Sequence, residues 1–388
     1  MIDSGEYRWL QIEPVDAWFF RDGRPFNRGE SQDDLECLFP PAPVTVVGAL
    51  RAALARERGW SGSGSWTDHS HELRDILGDG FEDLGRLRFL GPFLLQNGEL
   101  LWPMPRHVVG HMAEETDEEG RTRTVFVPKR LLRPTTDPVI CDVGETRLPE
   151  LSAGGQTVSA QSAEKPPKPA DGVFLTTAGM SKVLAGHLPD KTECRLSEDL
   201  FTEELRVGIS REVETRTTGR AALYNPRYLR LKPGVSLIEG VAGLPDQWQL
   251  PTLMPLGGES RMATVTLLER PPTFPQLATG SLVTLISATP ACFGNPWWGA
   301  WPGDGVSRLS GELAGTVVTV AVDRPQRIGG WDSLAGSPLP LRPFVPAGTV
   351  WWFESEGMPP NHMIQIGQRH NYGYGICLIG SAESHGAP

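Results

Sequence analysis

A run near the C-terminus, GQRHNYGYGICLIG (residues 367–380), sets an arginine, a histidine, an asparagine and two tyrosines among four glycines. Arginine grips phosphate in a two-point fork, tyrosine offers a flat face to a base, and glycine lets backbone approach closely. That chemistry suits a loop laid against single-stranded nucleic acid. The same residues also make a glycine-rich turn ahead of an edge strand, and the run by itself does not choose between the two. His370 adds a further option, because a histidine near its working pKa can transfer protons in RNA cleavage. That role needs a second proton-transfer group or a charge stabiliser close by.

Other catalytic patterns are missing. There is no GxxxxGK[ST], no GxGxxG after a strand, no GxSxG and no HExxH. The segment DHSHELRD (residues 68–75) starts like a metal-binding histidine cluster, but Leu73 and Arg74 stand where further ligands would be needed. His107 and His111 are four apart, in a stretch where Pro103, Pro105 and Gly110 oppose a helix. No metal, no cofactor and no catalytic residue is expected.

The chain has 388 residues and a net charge of −11, which speaks against a general nucleic-acid coat protein. Its charge is unevenly spread. Arg121, Arg123, Lys129, Arg130 and Arg133 form one basic run, and a second runs from Arg206 through Arg211, Arg216, Arg220, Arg227 and Arg230 to Lys232. Acids gather elsewhere, as in AEETDEEG (residues 113–120). The five cysteines are scattered without a CxxC and read as reduced thiols of a cytoplasmic protein. No apolar stretch is long enough to span a membrane, and the N-terminal residues do not resemble a signal peptide.

Elements that would position these residues follow from periodicity. Residues 7–12 read as a strand, and 87–95 with 99–102 as a hairpin around Gln-Asn-Gly. A helix is expected from Thr45, as cap, to Gly59, with Gly48 inside it costing about 1 kcal/mol and calling for a close backbone neighbour. A short helix is expected within 197–205, and strands at 206–210, 229–231, 235–240, 262–268, 281–288, 315–322, 349–353 and 375–379. Residues 110–170 look irregular. With 44 glycines and 35 prolines, much of the chain must be turns and loops. The pattern suggests an α+β protein of two sheet-and-helix units.

An ordered set of segments carries a family resemblance: IEPVDAWFFRDGRPF (12–26), LFPPAPVTVVGALRAAL (38–54), RVGISREVETRTTGRAALY (206–224), LGGESR (256–261), IGGWD (328–332), FVPAGTVWWF (344–353) and GYGICLIG (373–380). Together they resemble the third subunit of type III-B CRISPR effector complexes, the Cmr family of the RAMP superfamily. The resemblance implies two ferredoxin-like (RRM-like) domains, divided at 1–245 and 246–388. Loop insertions would lie near 60–85 and 110–170, and a glycine-rich loop at 367–375. It implies a non-catalytic subunit that holds the 5′ tag of the crRNA. Its partners would be the large polymerase-like subunit and the backbone RAMP subunit, with target RNA met indirectly. Two alternatives stay open: a crRNA-processing RAMP endoribonuclease using His370, and the tag-holding subunit of a type III-A or III-D complex.

A short single-stranded tag is read by splayed bases and backbone contacts. The residues suited to that are Arg21, Arg24 and Phe26 in the loop after the first strand, and Arg51 on the helix that follows. Arg211, Arg216 and Arg220 form a second group. Gly257, Gly258 and Arg261 combine close backbone with a phosphate fork, and Arg369, Gly373, Tyr374 and Gly375 belong to the C-terminal loop.

Overall fold

The computed structural model describes residues 4–20, 37–117, 119–141, 144–151, 165–211, 218–224, 226–276, 282–302, 309, 311, 313–332, 337–357 and 363–382. Strand β1 (Arg8–Pro14) is followed by helix α1 (Pro43–Glu57). Pro43 opens α1 at a position where no N–H partner is needed, and Gly59 follows its end with φ +90°. Thr45 is not the cap; Ala42 holds that position without a side-chain bond. Gly48 faces open space rather than a close backbone. Helix α2 (His71–Leu77), capped by Ser70, buries Leu73, Ile76 and Leu77 in the same core as α1. The segment expected as a loop insertion at 60–85 is therefore partly core.

Strands β2 (Arg88–Gln96) and β3 (Glu99–Pro103) form the expected hairpin, with Asn97 and Gly98 both at positive φ. The described part of the 110–170 region is more regular than its composition suggests. Strands β4 (Val108–Thr116) and β5 (Thr122–Pro134) pair along their length, and β6 (Val139–Cys141), β7 (Gly144–Thr146) and β8 (Pro149–Leu151) follow. Next come β9 (Val173–Thr176), α3 (Thr177–Leu184), β10 (Cys194–Leu196) and α4 (Ser197–Leu200). Strands β11 (Phe201–Leu205) and β14 (Arg227–Leu231) form the base of a long hairpin, and β12 (Gly208–Arg211) and β13 (Thr218–Tyr224) extend it. Strands β15 (Val235–Ala242), β16 (Leu253–Pro255) and β17 (Met262–Leu267) complete the first half.

The second half contains β18 (Leu282–Ser287), β19 (Gly315–Ala321), the ribbon β20 (Gln326–Asp332) with β21 (Ser337–Phe344), then β22 (Val350–Ser355), β23 (Ile364–Gln365) and β24 (Ile376–Ser381).

Two antiparallel sheets organise these strands. The first has the order β10-β9-β3-β2-β15-β1-β17-β16, the second β19-β22-β18-β24-β23. Because β15 is antiparallel to both β1 and β2, those two run parallel with β15 between them, a split βαβ arrangement around α1. Strand β17 pairs with the other edge of β1, so the first sheet draws on residues beyond 245. The expected division at 245/246 is corrected on that ground: it would cut a strand away from its sheet.

Side-chain alternation gives the first sheet two apolar faces. One, with Leu10, Ile12, Phe89, Leu237 and Val241, packs on Val46, Val47, Leu50 and Leu54 of α1. The other, with Trp9, Leu90, Phe93 and Ile238, meets Ile286, Val350, Trp352 and Leu378 of the second sheet. Val283, Leu285, Trp351, Phe353 and Ile379 form a further core on the far side of that sheet. Glu239 lies on the α1 side of β15, fully buried, and neither of its carboxyl oxygens finds a partner among the described residues. Burial raises its pKa well above the usual carboxylate value. No helix among the described residues is long and apolar enough to cross a membrane.

Candidate nucleic-acid interface

The end of β1, the long hairpin and the turn before β17 converge. Trp18 exchanges backbone hydrogen bonds with Leu229 of β14, at 2.9 and 2.7 Å. One residue on, the Phe19 carbonyl accepts from Gly258 N–H at 2.8 Å. A Cβ on Gly257, which has φ +88°, would sit 2.8 Å from that carbonyl, and one on Gly258 would sit 2.9 Å from the Phe19 ring. Those glycines let the 256–261 turn close onto the β1 loop, and the turn aims Arg261.

The Arg261 guanidinium lies 4.4 Å from the centroid of the Tyr228 ring, and the Arg206 guanidinium lies 4.6 Å from the same ring. Asp16 gathers the cations: it is 3.1 Å from Arg206, 2.7 Å from Arg230 and 3.5 Å from Arg261. Glu204 pairs with Arg230 and, at 2.9 Å, with Arg206. Hydrogen bonds from Arg230 and then Arg206 hold the Asp16 carboxyl below its usual range, and the same two donors bring Glu204 down to about 2. Three arginines thus face two carboxylates, all partly exposed. Arg206 and Arg261 are held by stacking, and among the described residues the cluster carries one positive charge in excess, which suits a polyanion with flat bases.

Of the residues expected at an RNA site, Gly257, Gly258 and Arg261 come together here. Arg211 and Arg220 lie on β12 and β13, further along the same hairpin. Arg21, Arg24, Phe26 and Arg216 lie outside the described residues. Arg206, Arg230 and Tyr228 were not expected at the site. The alternation of Arg227, Tyr228 and Arg230 was the available signal, since residues two apart share one face of a strand.

The C-terminal loop and Arg51 are placed differently. Arg51 is 4% exposed and donates to the carbonyls of Leu77, Gly80 and Asp83, each at 2.8 Å. It braces the loop after α2, so the expectation that it faces RNA is corrected. Tyr374 is 1% exposed, its ring centroid 4.8 Å from that of Phe344, and its hydroxyl accepts from Val44 N–H at 3.4 Å. It is a core residue with no free face for a base. Gly373 has φ +86°, and a Cβ there would lie 2.5 Å from the Gly91 carbonyl; at Gly375, with φ +71°, it would lie closer still to the Ile366 carbonyl. The protein's own backbone is what these glycines accommodate. Arg369 covers the Phe81 ring at 4.2 Å and pairs with Glu82 at 2.8 Å. The loop therefore ties the second half to the first, and Tyr372 Oη adds a bond to the Phe81 carbonyl at 2.6 Å.

The histidines are dispersed. His107 is buried against Trp352, its pKa lowered to about 3 by burial and by Arg133. Among the described residues, no group of three or more His, Cys, Asp or Glu side chains converges to hold a metal.

Paired antiparallel sheets with few helices, carrying a long hairpin with stacked arginines at its foot, define an α+β protein that presents loops on a rigid scaffold. More particularly, the chain belongs to the CRISPR-associated protein (Cas_Cmr3) family, whose model matches residues 10–382. It is a type III CRISPR effector subunit. Among solved structures it is similar to a chain of a type III-B Cmr-beta complex bound to cognate target RNA and AMPPnP, with 16% identity, 89% of this chain and 86% of that chain covered, and a TM-score of 0.47. A chain of the Csm3–Csm4 subcomplex of a type III-A interference complex is similar at 8% identity, covering 96% and 98%, with a TM-score of 0.37. No curated protein sequence matches the chain.

Proposed function

We propose that this chain is the non-catalytic subunit that holds the 5′ tag of the crRNA in a type III-B effector complex. It bridges the large polymerase-like subunit to the backbone RAMP subunits, and meets target RNA only through the guide. The strand orders β17-β1-β15-β2 and β24-β18-β22-β19 share the sequence fourth, first, third, second, which supports the reading of two ferredoxin-like halves.

The observation that carries the reading is the Arg206–Tyr228–Arg261 stack, with Asp16 and Arg230 beside it, at the foot of the hairpin that bears Arg211 and Arg220. Arginines pre-oriented on a ring lose little freedom when they grip phosphate. A charge-assisted hydrogen bond contributes about 1.5–3 kcal/mol. Arg206→Ala and Arg261→Ala should therefore each weaken guide-RNA binding about tenfold or more. Asp16→Asn, which frees the cations, should tighten it. The purified chain should leave repeat RNA uncut. Cleavage lost in His370→Ala would instead establish the processing enzyme.

A further inference from the structure

Ile328 and Phe344 tie the β20–β21 ribbon into the core around α1, and a cavity of about 140 Å³ lies where the two meet. Val44 of α1, Phe81, Ile328, Leu339 and Phe344 give it apolar walls. Three charged side chains also line it: Glu82 from the loop after α2, Arg342 from β21 and Arg369 from the C-terminal loop. Arg369 is fixed in place. Its backbone takes φ +63°, which is uncommon for a residue with a side chain, and its guanidinium rests on the Phe81 ring. The Arg369 side chain is 10% exposed, whereas its partner Glu82, 2.8 Å away, is 72% exposed. Arg342 is exposed and has no carboxylate partner among the described residues. The lining therefore carries two positive charges against one negative, and the one carboxylate stands mostly in water.

We propose that this cavity receives an aspartate or glutamate side chain from a neighbouring protein subunit of the effector complex. The proposal rests on the chain's family, which makes it an effector subunit, and not on the tag-holding role. Charge, size and lining select the occupant. The excess positive charge calls for an anion. The volume lies well below the about 300–1,000 Å³ that encloses a whole small molecule, so the anion is a group carried by a larger body. The apolar walls favour a carboxylate side chain, which brings methylene groups to them, over a phosphate, whose charged oxygens would face them without donors. The mouth also has the composition of a protein interface. Leu341, between the lining residues Pro340 and Arg342, is 38% exposed, and its Cδ2 lies 3.1 Å from where a Cβ on the lining residue Gly329 would sit. Further along the ribbon Trp331, opposite Pro338, is 62% exposed. In the free chain Glu82 holds Arg369, so the incoming carboxylate competes with it.

The test uses the full chain with the purified protein subunits of its own effector complex, mixed pairwise and then together. Arg342 is varied because Arg369 also anchors the C-terminal loop. Arg342→Glu should weaken association with one subunit about tenfold or more, and should leave melting and guide-RNA affinity unchanged. Glu82→Gln removes the competitor and should tighten the same association about 1.5- to 5-fold. In the assembled complex, Arg342→Lys treated with a carbodiimide should form an amide with one aspartate or glutamate of that subunit, identified by mass spectrometry. Reversing the charge of that acidic residue should restore assembly with Arg342→Glu. Unchanged association with every subunit in Arg342→Glu, or a cross-link to Glu82 alone, would overturn the proposal. Lowered guide-RNA affinity in Arg342→Glu, with every subunit still bound, would assign the cavity to a phosphate and overturn it as well. The tag-holding reading is tested separately by Arg261→Ala.

Discussion

Replacing Gly375 by alanine puts the two readings of the C-terminal loop into direct opposition. A Cβ there would be driven into the Ile366 carbonyl, on a residue with φ +71°, and the companion change at Gly373 would place one 2.5 Å from the Gly91 carbonyl at φ +86°. Real Cβ atoms essentially never come within 3.0 Å of such an atom, so backbone must move. Strain at such a φ costs about 1–3 kcal/mol, and overpacking adds about 1–3 kcal/mol. Gly375→Ala should therefore destabilise the fold by about 2–6 kcal/mol, lowering the melting temperature by about 2–7 °C. Denaturant unfolding beside thermal melting reads this, with RNA affinity measured on the fraction that remains folded. That folded fraction should bind guide RNA normally. A variant that melts like the parent but no longer holds RNA would refute the reasoning and return the loop to the RNA surface.

Gly48→Ala should do the opposite, raising stability by about 1 kcal/mol in denaturant titration, because the position is an exposed helix interior with open space around it. Arg51→Met should lower the melting temperature markedly with RNA affinity preserved in folded protein, since three carbonyls lose their donor. His107 has a folded pKa of about 3, below its unfolded value, so the unfolded chain binds the extra proton and stability should fall as pH drops from about 6.5 toward 3; His107→Phe should flatten that part of the profile. Glu239 has the reverse sign: its raised folded pKa means stability falls as pH rises above the unfolded carboxylate value, by about 1.4 kcal/mol per pH unit until the folded value is passed, and Glu239→Gln should remove that slope.

What the sequence showed and what it hid divide along physical lines. The β2–β3 hairpin was legible because Asn97-Gly98 supplies the positive φ its turn needs between two apolar runs. The buried strands β18, β22 and β24 were legible as short apolar runs bounded by turns. The 108–134 hairpin was not, because its outer end is polar on both faces and therefore lacks an alternating pattern. Helix α2 was missed for a related reason: only Leu73, Ile76 and Leu77 of its seven residues are buried, too few to make a period. At the site, the 256–261 turn was read from its glycines, but the Tyr228 stack depends on residues far apart in sequence meeting across three elements. The C-terminal loop misled because a glycine that admits a phosphate and one that admits a carbonyl look the same in a sequence.

In the proposed function, arginines at the foot of the hairpin hold the tag of the guide RNA. The most direct measurement compares the affinity of the full chain for the guide RNA with that for the same RNA lacking its 5′ tag, in the parent and in the Arg206→Ala/Arg261→Ala double variant. The parent should prefer the tagged RNA, and the double variant should lose most of that preference while melting like the parent. Equal affinity for the two RNAs in the parent, or a preference unchanged in the double variant, would contradict it.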